Sequence, residues 1–320
     1  MISLQLRMML LLGALFAIIY ALVTMIGTSM GMDNFYFYLS ISLGMMFVQY
    51  LIGPKMVEWS MRVRYVKREE YPELYMMIES QAQKAGIPMP RVCVSQVAIP
   101  NAFAFGRGQA DGRVCVTEGI LKLLSKEELK AVIGHELTHI KNRDVLTITI
   151  LSVIPMIMYR IAWHFLFYGG RRWGSGQNNT ALIGFAAFIF YFLTNLLVLY
   201  GSRIREYFAD KGSVELGNPP EALASALYKL VYGSARIGKE GLKEAEGLKA
   251  FFMNDPSRAY NEIKELNQLD LNRSGTIDAS ELIYLQNQTL NLSTSDRLFE
   301  MLGTHPNMLK RVKHLSELRQ

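Results

Sequence analysis

Charged residues are scarce in this chain. They make up 19% of its 320 residues, whereas 50% of the residues are hydrophobic, and the mean hydropathy is +0.14. This balance is apolar for a soluble protein but too polar for a bundle made only of membrane helices. The composition therefore predicts a mixed architecture, in which membrane segments are joined to a water-exposed part.

The chain also lacks any recognisable nucleic-acid-binding motif. Its formal net charge is nevertheless +6 at pH 7. Because basic residues beside a membrane are attracted to anionic lipid headgroups, we attribute this excess charge to contact with the bilayer. The lipid bilayer is thus an expected partner, and nucleic acid is not.

Four long apolar runs predict the membrane segments. They cover residues 8–26, 35–52, 145–167 and 181–200. The first two are each long enough to cross a hydrocarbon core of about 30 Å as a helix. A cleaved signal peptide is the alternative for the first run, but the second run follows closely and no small-residue cleavage pattern precedes it.

Basic residues predict the orientation of these helices. The link at residues 27–34 contains no Lys or Arg, whereas the exit of the second run is crowded with Lys55, Arg62, Arg64, Lys67 and Arg68. Because such residues stay on the cytoplasmic side, the N-terminus and the part beyond residue 55 are predicted to face the cytoplasm. Two arginines in the link between the third and fourth runs conflict with this rule, so a tilted or partly inserted second hairpin stays open.

The most informative motif is His135-Glu136-Leu137-Thr138-His139. Residues 126–144 contain no Pro and only one Gly, and Ser125 with Glu128 forms a capping-box pattern, so a helix is predicted there. Histidines four positions apart on a helix can bind one metal ion, while the adjacent glutamate points toward the water that the metal holds. The motif predicts a catalytic zinc and peptide-bond hydrolysis. A surface helix with two unremarkable histidines is the alternative.

A tetrahedral catalytic zinc needs a third protein ligand from elsewhere in the chain. The candidates are His164, His305, His314 or a carboxylate, of which Glu206 is the best. Glu206 and Asp210 are four residues apart on one predicted helix face. Glu206 can therefore bind the metal while Asp210 accepts a hydrogen bond from a liganding imidazole. A solvated charged face is the alternative for this pair.

The stretch between residues 71 and 124 has soluble character. Residues 72–85 have helical spacing, and residues 91–95 and 113–117 are predicted strands with residues 101–105 between them. An exposed strand beside the zinc would hold an unfolded substrate by backbone pairing, and a purely structural sheet is the alternative. Cys93 and Cys115 lie in matching Val-Cys-Val contexts, so we expect neighbouring free thiols in a reducing cytoplasm.

A second motif occupies residues 270–281 and matches a twelve-position EF-hand calcium loop. Its predicted ligands are Asp270, Asn272, Ser274, Thr276, Asp278 and Glu281, and Gly275 allows the sharp turn at the sixth place. Apolar residues flank the loop at helical spacing. Neutral side chains among the ligands predict a modest affinity, and no second EF-hand is found to pair with it. A polar turn between helices that does not bind calcium is the alternative.

Taken together, these motifs resemble the HtpX family of membrane-bound zinc metalloproteases, gluzincins related to the CAAX prenyl proteases. The resemblance rests on the motif at residues 135–139, the segment from Glu206 to Asp210, Pro-Asn-Ala-Phe-Ala at 100–104, and Thr-His-Pro at 304–306 followed by Arg311. It covers most of the chain. Residues 256–294, which contain the EF-hand-like loop, look like an insertion.

The resemblance implies a mainly α fold with a small β-sheet. An N-terminal transmembrane hairpin (residues 1–54) would precede a zincin-like metalloprotease domain (55–320) that is continuous with a second transmembrane pair (145–200). The family pattern implies roles for seven residues. His135, His139 and Glu206 would be the ligands of one zinc ion per chain, Glu136 the general base, and Asp210 a support for the zinc ligands. His305 would stabilise the oxyanion, and Asn101 would contact the substrate backbone.

The family reading also implies a function. It predicts a multi-pass cell-membrane protease that cleaves misfolded or damaged membrane proteins on the cytoplasmic side. We hypothesise that calcium orders the lid that carries His305 and so modulates activity. A prenyl-protein (CAAX-type) protease is the nearer alternative, disfavoured because four apolar runs are too few for the larger helical cage expected there. The other is a non-catalytic, calcium-responsive membrane adaptor.

Overall fold

The computed structural model describes residues 35–144, 177–235, 268–288 and 300–319, together with 147, 158–159, 162, 262–263 and 266. By their contacts, these residues belong to two compact units, one within Met1–Ile52 and Leu146–Ile204, the other within Gly53–Val145 and Arg205–Gln320. The predicted first membrane run, nearly all of the third, and His164 lie outside the described residues.

The described part of the chain is mostly helical and has one small sheet. In chain order, its elements are α1 (Phe35–Ser60), β1 (Val63–Tyr65), α2 (Pro72–Ala85), β2 (Arg91–Ser95), β3 (Ala102–Phe105), β4 (Arg113–Thr117), α3 (Glu118–Leu123), α4 (Lys126–Lys141), α5 (Gln177–Glu215), α6 (Pro220–Ala235), α7 (Ala279–Gln286) and α8 (Met308–Glu317). The predicted helix at 72–85 and the predicted strands at 91–95 and 113–117 are confirmed.

The first unit is built from apolar helices. Among the described residues, one helix is long and apolar enough to cross a membrane, at Leu182–Glu215, and its apolar 18-residue stretch has a mean hydropathy of 2.3. Met158 and Ala162 pack against Ala187 of this helix. Large apolar side chains along the same helix, such as Phe185 and Phe192, are exposed. Apolar side chains on the outside of a helix suit contact with lipid.

The second unit contains a four-stranded sheet in the order β1-β2-β4-β3. Its central pair, β2 and β4, is parallel, whereas β1 and β3 each pair antiparallel with a neighbour. Cys93 lies directly opposite Cys115 in the central pair, and both are buried free thiols, as predicted. The strand β3 occupies one edge of the sheet and contacts α4.

Helix α4 begins with the predicted capping box. The Ser125 hydroxyl accepts a hydrogen bond from the Glu128 backbone N–H, and the Glu128 carboxylate accepts one from the Ser125 N–H. The same carboxylate accepts hydrogen bonds from the Ser225 hydroxyl and the Lys229 ammonium group on α6. One buried glutamate therefore both starts α4 and ties it to its neighbour.

Helix α4 ends earlier than the sequence predicted. A helix through residue 144 was expected, but α4 stops at Lys141 and Asn142 follows as its C-cap. Arg143 has a φ of 57°, in the left-handed region that non-glycine residues rarely adopt. Neither Gly nor Pro marks this turn, which is why the pattern of residues did not reveal it. The reversal turns Asp144 back toward the helix that it follows.

Two glycines allow α4 and the end of α5 to approach closely. A Cβ atom on Gly212 would lie 2.3 Å from Cγ2 of Thr138, and one on Gly134 would lie 2.4 Å from Nδ2 of Asn218. Ser213 on α5 also donates a hydrogen bond to the Ala131 carbonyl of α4, at 2.6 Å. The helix that carries the two motif histidines is thus held against the helix that carries Glu206.

We expect Gly212→Ala to lower the thermal stability of the purified protein. The added methyl group would overlap buried Thr138, and such overpacking typically costs about 1–3 kcal/mol, against a gain in helix propensity of up to about 1 kcal/mol. Gly108→Ala is the matched control because nothing lies within 4 Å of its Cβ position. Equal unfolding temperatures for the two variants in detergent would contradict the close packing.

Candidate metal centre

His135 and His139 present their Nε2 atoms to the same point. The two atoms are 3.1 Å apart, and the ring planes meet at 85°. His135 is almost fully buried, and His139 is slightly more exposed. The arrangement follows from their spacing, because one turn of α4 places both side chains on the same face.

Glu206 on α5 completes a triangle of ligand atoms. Its Oε2 lies 3.6 Å from Nε2 of His135, and its Oε1 lies 3.6 Å from Nε2 of His139. In a tetrahedral site with bonds of about 2.0–2.1 Å, ligand atoms are separated by about 3.3 Å. The observed separations fit one divalent ion. Among the described residues, these three form the one group of His, Cys, Asp or Glu side chains whose ligand atoms lie close enough together to share an ion.

Each imidazole also faces a carboxylate through its other nitrogen. Nδ1 of His135 lies 2.9 Å from Oδ1 of Asp210, and Nδ1 of His139 is hydrogen-bonded to Oδ2 of Asp144 at 2.6 Å. With protons on both Nδ1 atoms, each Nε2 directs a lone pair toward the shared point. The spacing of Glu206 and Asp210 predicts the first contact, whereas no sequence pattern points to a role for Asp144.

A buried arginine balances the acidic side of the site. Arg311 on α8 donates hydrogen bonds to both carboxylate oxygens of Asp210, at 2.6 and 2.9 Å, and its Nη1 lies 3.0 Å from Oε2 of Glu206. Burial opposes the charge of Arg311, but Asp210 and Glu206 outweigh it and raise its pKa. Sequence reasoning placed Arg311 in the Thr-His-Pro segment without a role, since its partners are about a hundred residues away.

The site is electrostatically suited to a cation. Burial lowers the pKa of His135, but the facing carboxylates of Asp210 and Glu206 outweigh this effect and raise that pKa to about 9. The surroundings of this imidazole therefore favour a positive charge at its position. A divalent ion bound to the Nε2 atoms would meet the same negative surroundings.

Glu136 lies beside the centre and is buried. Burial raises the pKa of its carboxyl group, and the nearby positive charge of the histidines and the backbone N–H of Ala104 in β3 partly offset the rise. A carboxylate whose pKa is raised accepts a proton more readily at neutral pH. The position suits the predicted general base, and that role stays a prediction.

Among the residues to which the family resemblance gives a role, His305 lies at the centre. Nδ1 of His305 lies 3.5 Å from Oε2 of Glu206. Asn101 immediately precedes β3, where its backbone N–H donates to the Thr117 hydroxyl and its carbonyl accepts from the Thr117 N–H. The side chain of Asn101 is fully buried. The catalytic and substrate-binding roles of these two residues stay predictions.

The remaining candidate for the third ligand lies apart from the ligand atoms. His314 on α8 packs edge-on against the ring of Tyr207, with centroids 5.1 Å apart. It does not join the group of ligand atoms among the described residues.

The EF-hand-like loop adopts a compact turn. The carboxylate of Asp270 accepts the backbone N–H groups of Ser274 and Gly275, and the carboxylate of Glu281 accepts those of Leu271 and Asp278. Gly275 has a φ of 78°, which the sharp turn at the sixth place requires. Four apolar residues that flank the loop are buried in the main core: Leu266, Leu269, Leu282 and Leu285. Calcium ligation by this loop stays a prediction.

Comparison with known proteins relates the whole arrangement to one peptidase family. The sequence profile of peptidase family M48 matches residues 67–319. A protease HtpX homolog of Methanothermobacter thermautotrophicus is 50% identical over 229 residues, which are 72% of this chain and 86% of that protein. A protease HtpX homolog of Moorella thermoacetica is 38% identical over 263 residues, which are 81% of this chain and 86% of that protein.

A solved structure shares the fold. The crystal structure of S. mikatae Ste24p aligns with a TM-score of 0.50 at 17% sequence identity, over 93% of this chain and 62% of that one. This chain thus spans less than two thirds of that protein's length. At this identity the likeness concerns the fold alone.

Replacing His135 with Ala, or Glu206 with Gln, should remove most of the bound metal, because each change deletes one of three ligands. The measurement is the metal content of the purified protein after dialysis against a trace of chelator. His314→Ala is the matched control, since it removes a histidine of the same unit that lies outside the ligand group. Full metal content in the His135→Ala protein would contradict the assignment.

Proposed function

The chain belongs to peptidase family M48 and is a membrane-anchored metalloprotease of the HtpX kind; from this premise we propose that its metal is zinc and that it cleaves misfolded or damaged membrane proteins on the cytoplasmic side. The observation that carries the proposal is the triangle of His135, His139 and Glu206, with separations of 3.1, 3.6 and 3.6 Å. Two imidazoles and one carboxylate form a donor set typical of catalytic zinc, with a fourth position open.

The proposed mechanism assigns the proton transfers to Glu136. Zinc, when bound, supplies a Lewis acid that activates water and polarises the scissile carbonyl. Glu136 accepts the proton of the attacking water and delivers it to the leaving amine nitrogen. Its raised pKa suits both tasks, because the protonated form must persist long enough to protonate the amine. His305, beside Glu206, is the proposed donor to the oxyanion of the tetrahedral state.

The edge of the sheet is the proposed substrate platform. β3 pairs with β4 on one side, and no strand among the described residues pairs with its other side. It contacts α4, and the backbone of Ala104 interacts with Glu136. An extended segment of substrate that adds to this edge would be held by backbone hydrogen bonds. Such recognition tolerates many sequences, which suits a protease whose substrates are selected by unfolding.

Charge supports the proposed cytoplasmic orientation. Lys55 and Arg62 are exposed at the end of α1, and three more basic residues follow by residue 68. Basic residues next to a membrane segment are retained on the cytoplasmic side. The unit that carries the metal centre continues directly from this basic segment.

Calcium is a second proposed ligand, at residues 270–281, on the strength of the twelve-position sequence pattern. The loop leads into α7, which contains Glu281 and packs against α8. Lys313 of α8 donates hydrogen bonds to the carbonyls of Leu285 and Gln286 at the end of α7. Since α8 also carries Arg311, this helix pair is the proposed route by which calcium would influence the metal centre.

Glu136→Gln should retain zinc but lose hydrolysis of an unfolded protein such as casein by at least about 100-fold, because it removes the proton acceptor and leaves the ligands in place. Zinc content and cleavage rate are measured on the same detergent-purified sample, with zinc restored after chelation. Glu73→Gln, at an exposed ion pair with Lys126, is the neutral control. Unchanged cleavage by Glu136→Gln would refute the mechanism, and preference for a farnesylated peptide over casein would favour the prenyl-protein alternative.

Calcium should slow hydrogen exchange across residues 260–310 of the wild-type protein and change its cleavage rate. In Glu281→Gln both responses should weaken, because the variant lacks the closing carboxylate of the loop. Glu215→Gln removes an exposed carboxylate outside the loop and serves as the control. Because Glu281 also accepts hydrogen bonds from backbone N–H groups, its substitution alters the loop even without calcium. The deciding comparison is therefore the wild-type protein with and without calcium. Identical exchange in the two conditions would contradict the proposal that calcium orders this segment.

A further inference from the structure

Asp144 makes a buried contact that the predicted function does not use. Its side chain is 8% exposed, and its Oδ2 accepts a hydrogen bond from Nδ1 of His139 at 2.6 Å. The residue lies beyond the end of α4 and reaches back through the left-handed turn at Arg143. The chain therefore adopts an uncommon backbone conformation where it brings this carboxylate to the imidazole.

The contact repeats on the second histidine what Asp210 does on the first. Asp210 lies on α5 and faces Nδ1 of His135, whereas Asp144 comes from the segment after α4. A carboxylate on Nδ1 fixes the tautomer and the ring orientation of an imidazole, and it makes Nε2 a stronger donor to a metal. The two histidines are thus held by separate carboxylates from separate parts of the chain.

An arginine contacts each of these two aspartates, one through the side chain and the other through the backbone. Arg311 holds Asp210, and Arg205 donates a hydrogen bond from Nη1 to the backbone carbonyl of Asp144, at 3.0 Å. The positive charge of Arg205 also interacts favourably with the Asp144 carboxylate. Arg205 immediately precedes Glu206 on α5. The anchor of Asp144 therefore belongs to the same helix turn that supplies the third ligand.

We propose that Asp144 is a positioning residue of the metal centre, which orients His139 for metal binding and is itself held by Arg205. The inference rests on the proposed function, since it takes the triangle of ligand atoms to be a metal site. It adds a residue outside the motif of residues 135–139. It also predicts that the short segment Asn142–Asp144 contributes to metal affinity, although none of its atoms is a ligand.

Asp144→Asn separates this role from a merely structural one. Asparagine has nearly the same size and shape as aspartate, so the backbone structure around residue 144 should be preserved. It lacks the negative charge, and its amide group can also donate, which leaves Nδ1 of His139 without a fixed partner. A purely structural role would survive the change, whereas orientation of the imidazole would not.

The experiment measures zinc affinity of the full-length protein in detergent by competition with a chromophoric chelator. Asp144→Asn should bind zinc about 10–100-fold more weakly than wild type, as for other residues that orient a liganding histidine. The visible spectrum of the cobalt-substituted protein should shift as the coordination geometry changes. Asp144→Glu, which restores the carboxylate, should recover part of the affinity, and Glu73→Gln should match wild type.

Two results would overturn the inference. One is a zinc affinity of Asp144→Asn equal to that of wild type. The other is a weaker affinity with an unchanged cobalt spectrum and a lower unfolding temperature of the metal-free protein, because that combination describes a structural defect. The proposed function fails separately, if the wild-type protein itself binds no zinc or cleaves no polypeptide.

Discussion

Two buried carboxylates beside the paired imidazoles of His135 and His139 set the central constraint on this structure. Glu206 and Asp210 are both excluded from water, and an unpaired charge in such a place is strongly unfavourable. Arg311 meets part of this demand from α8, where its guanidinium group contacts both residues. The remaining negative charge must be balanced by a cation that the imidazoles bind. We therefore expect metal binding and folding of the second unit to be linked, because both depend on neutralising the same negative charge.

The surrounding elements make that charge cluster possible. The glycines at 134 and 212 let α4 and α5 pack closely, Glu128 fixes α4 to α6, and β3 also contacts α4. The helix that carries two of the proposed ligands is thereby held by several neighbouring elements. A site held in this way loses little entropy when it binds a metal or a substrate, which is the advantage of preorganisation.

The sequence predicted those parts of the site that depend on local periodicity. The spacing of His135 and His139, and of Glu206 and Asp210, places each pair on one face of a helix, and nothing distant is needed to see it. Arg311 and Asp144 were missed for different reasons. Arg311 meets its partners only through tertiary packing, and Asp144 depends on a left-handed turn at an arginine, which the residue types do not signal. The early end of α4 and the missed role of Asp144 therefore have one cause, the turn at Arg143.

The central strand pair has a practical consequence. Cys93 and Cys115 are the protein's two cysteines, they lie opposite each other inside the sheet, and burial raises the pKa of Cys93 to about 12 and that of Cys115 well above its usual range. Thiol reagents attack the thiolate and need access to it. Both thiols are therefore unreactive toward such reagents until the sheet opens. The rate at which a reagent labels these thiols therefore measures how often the second unit opens. It can be measured in native membranes without an engineered probe.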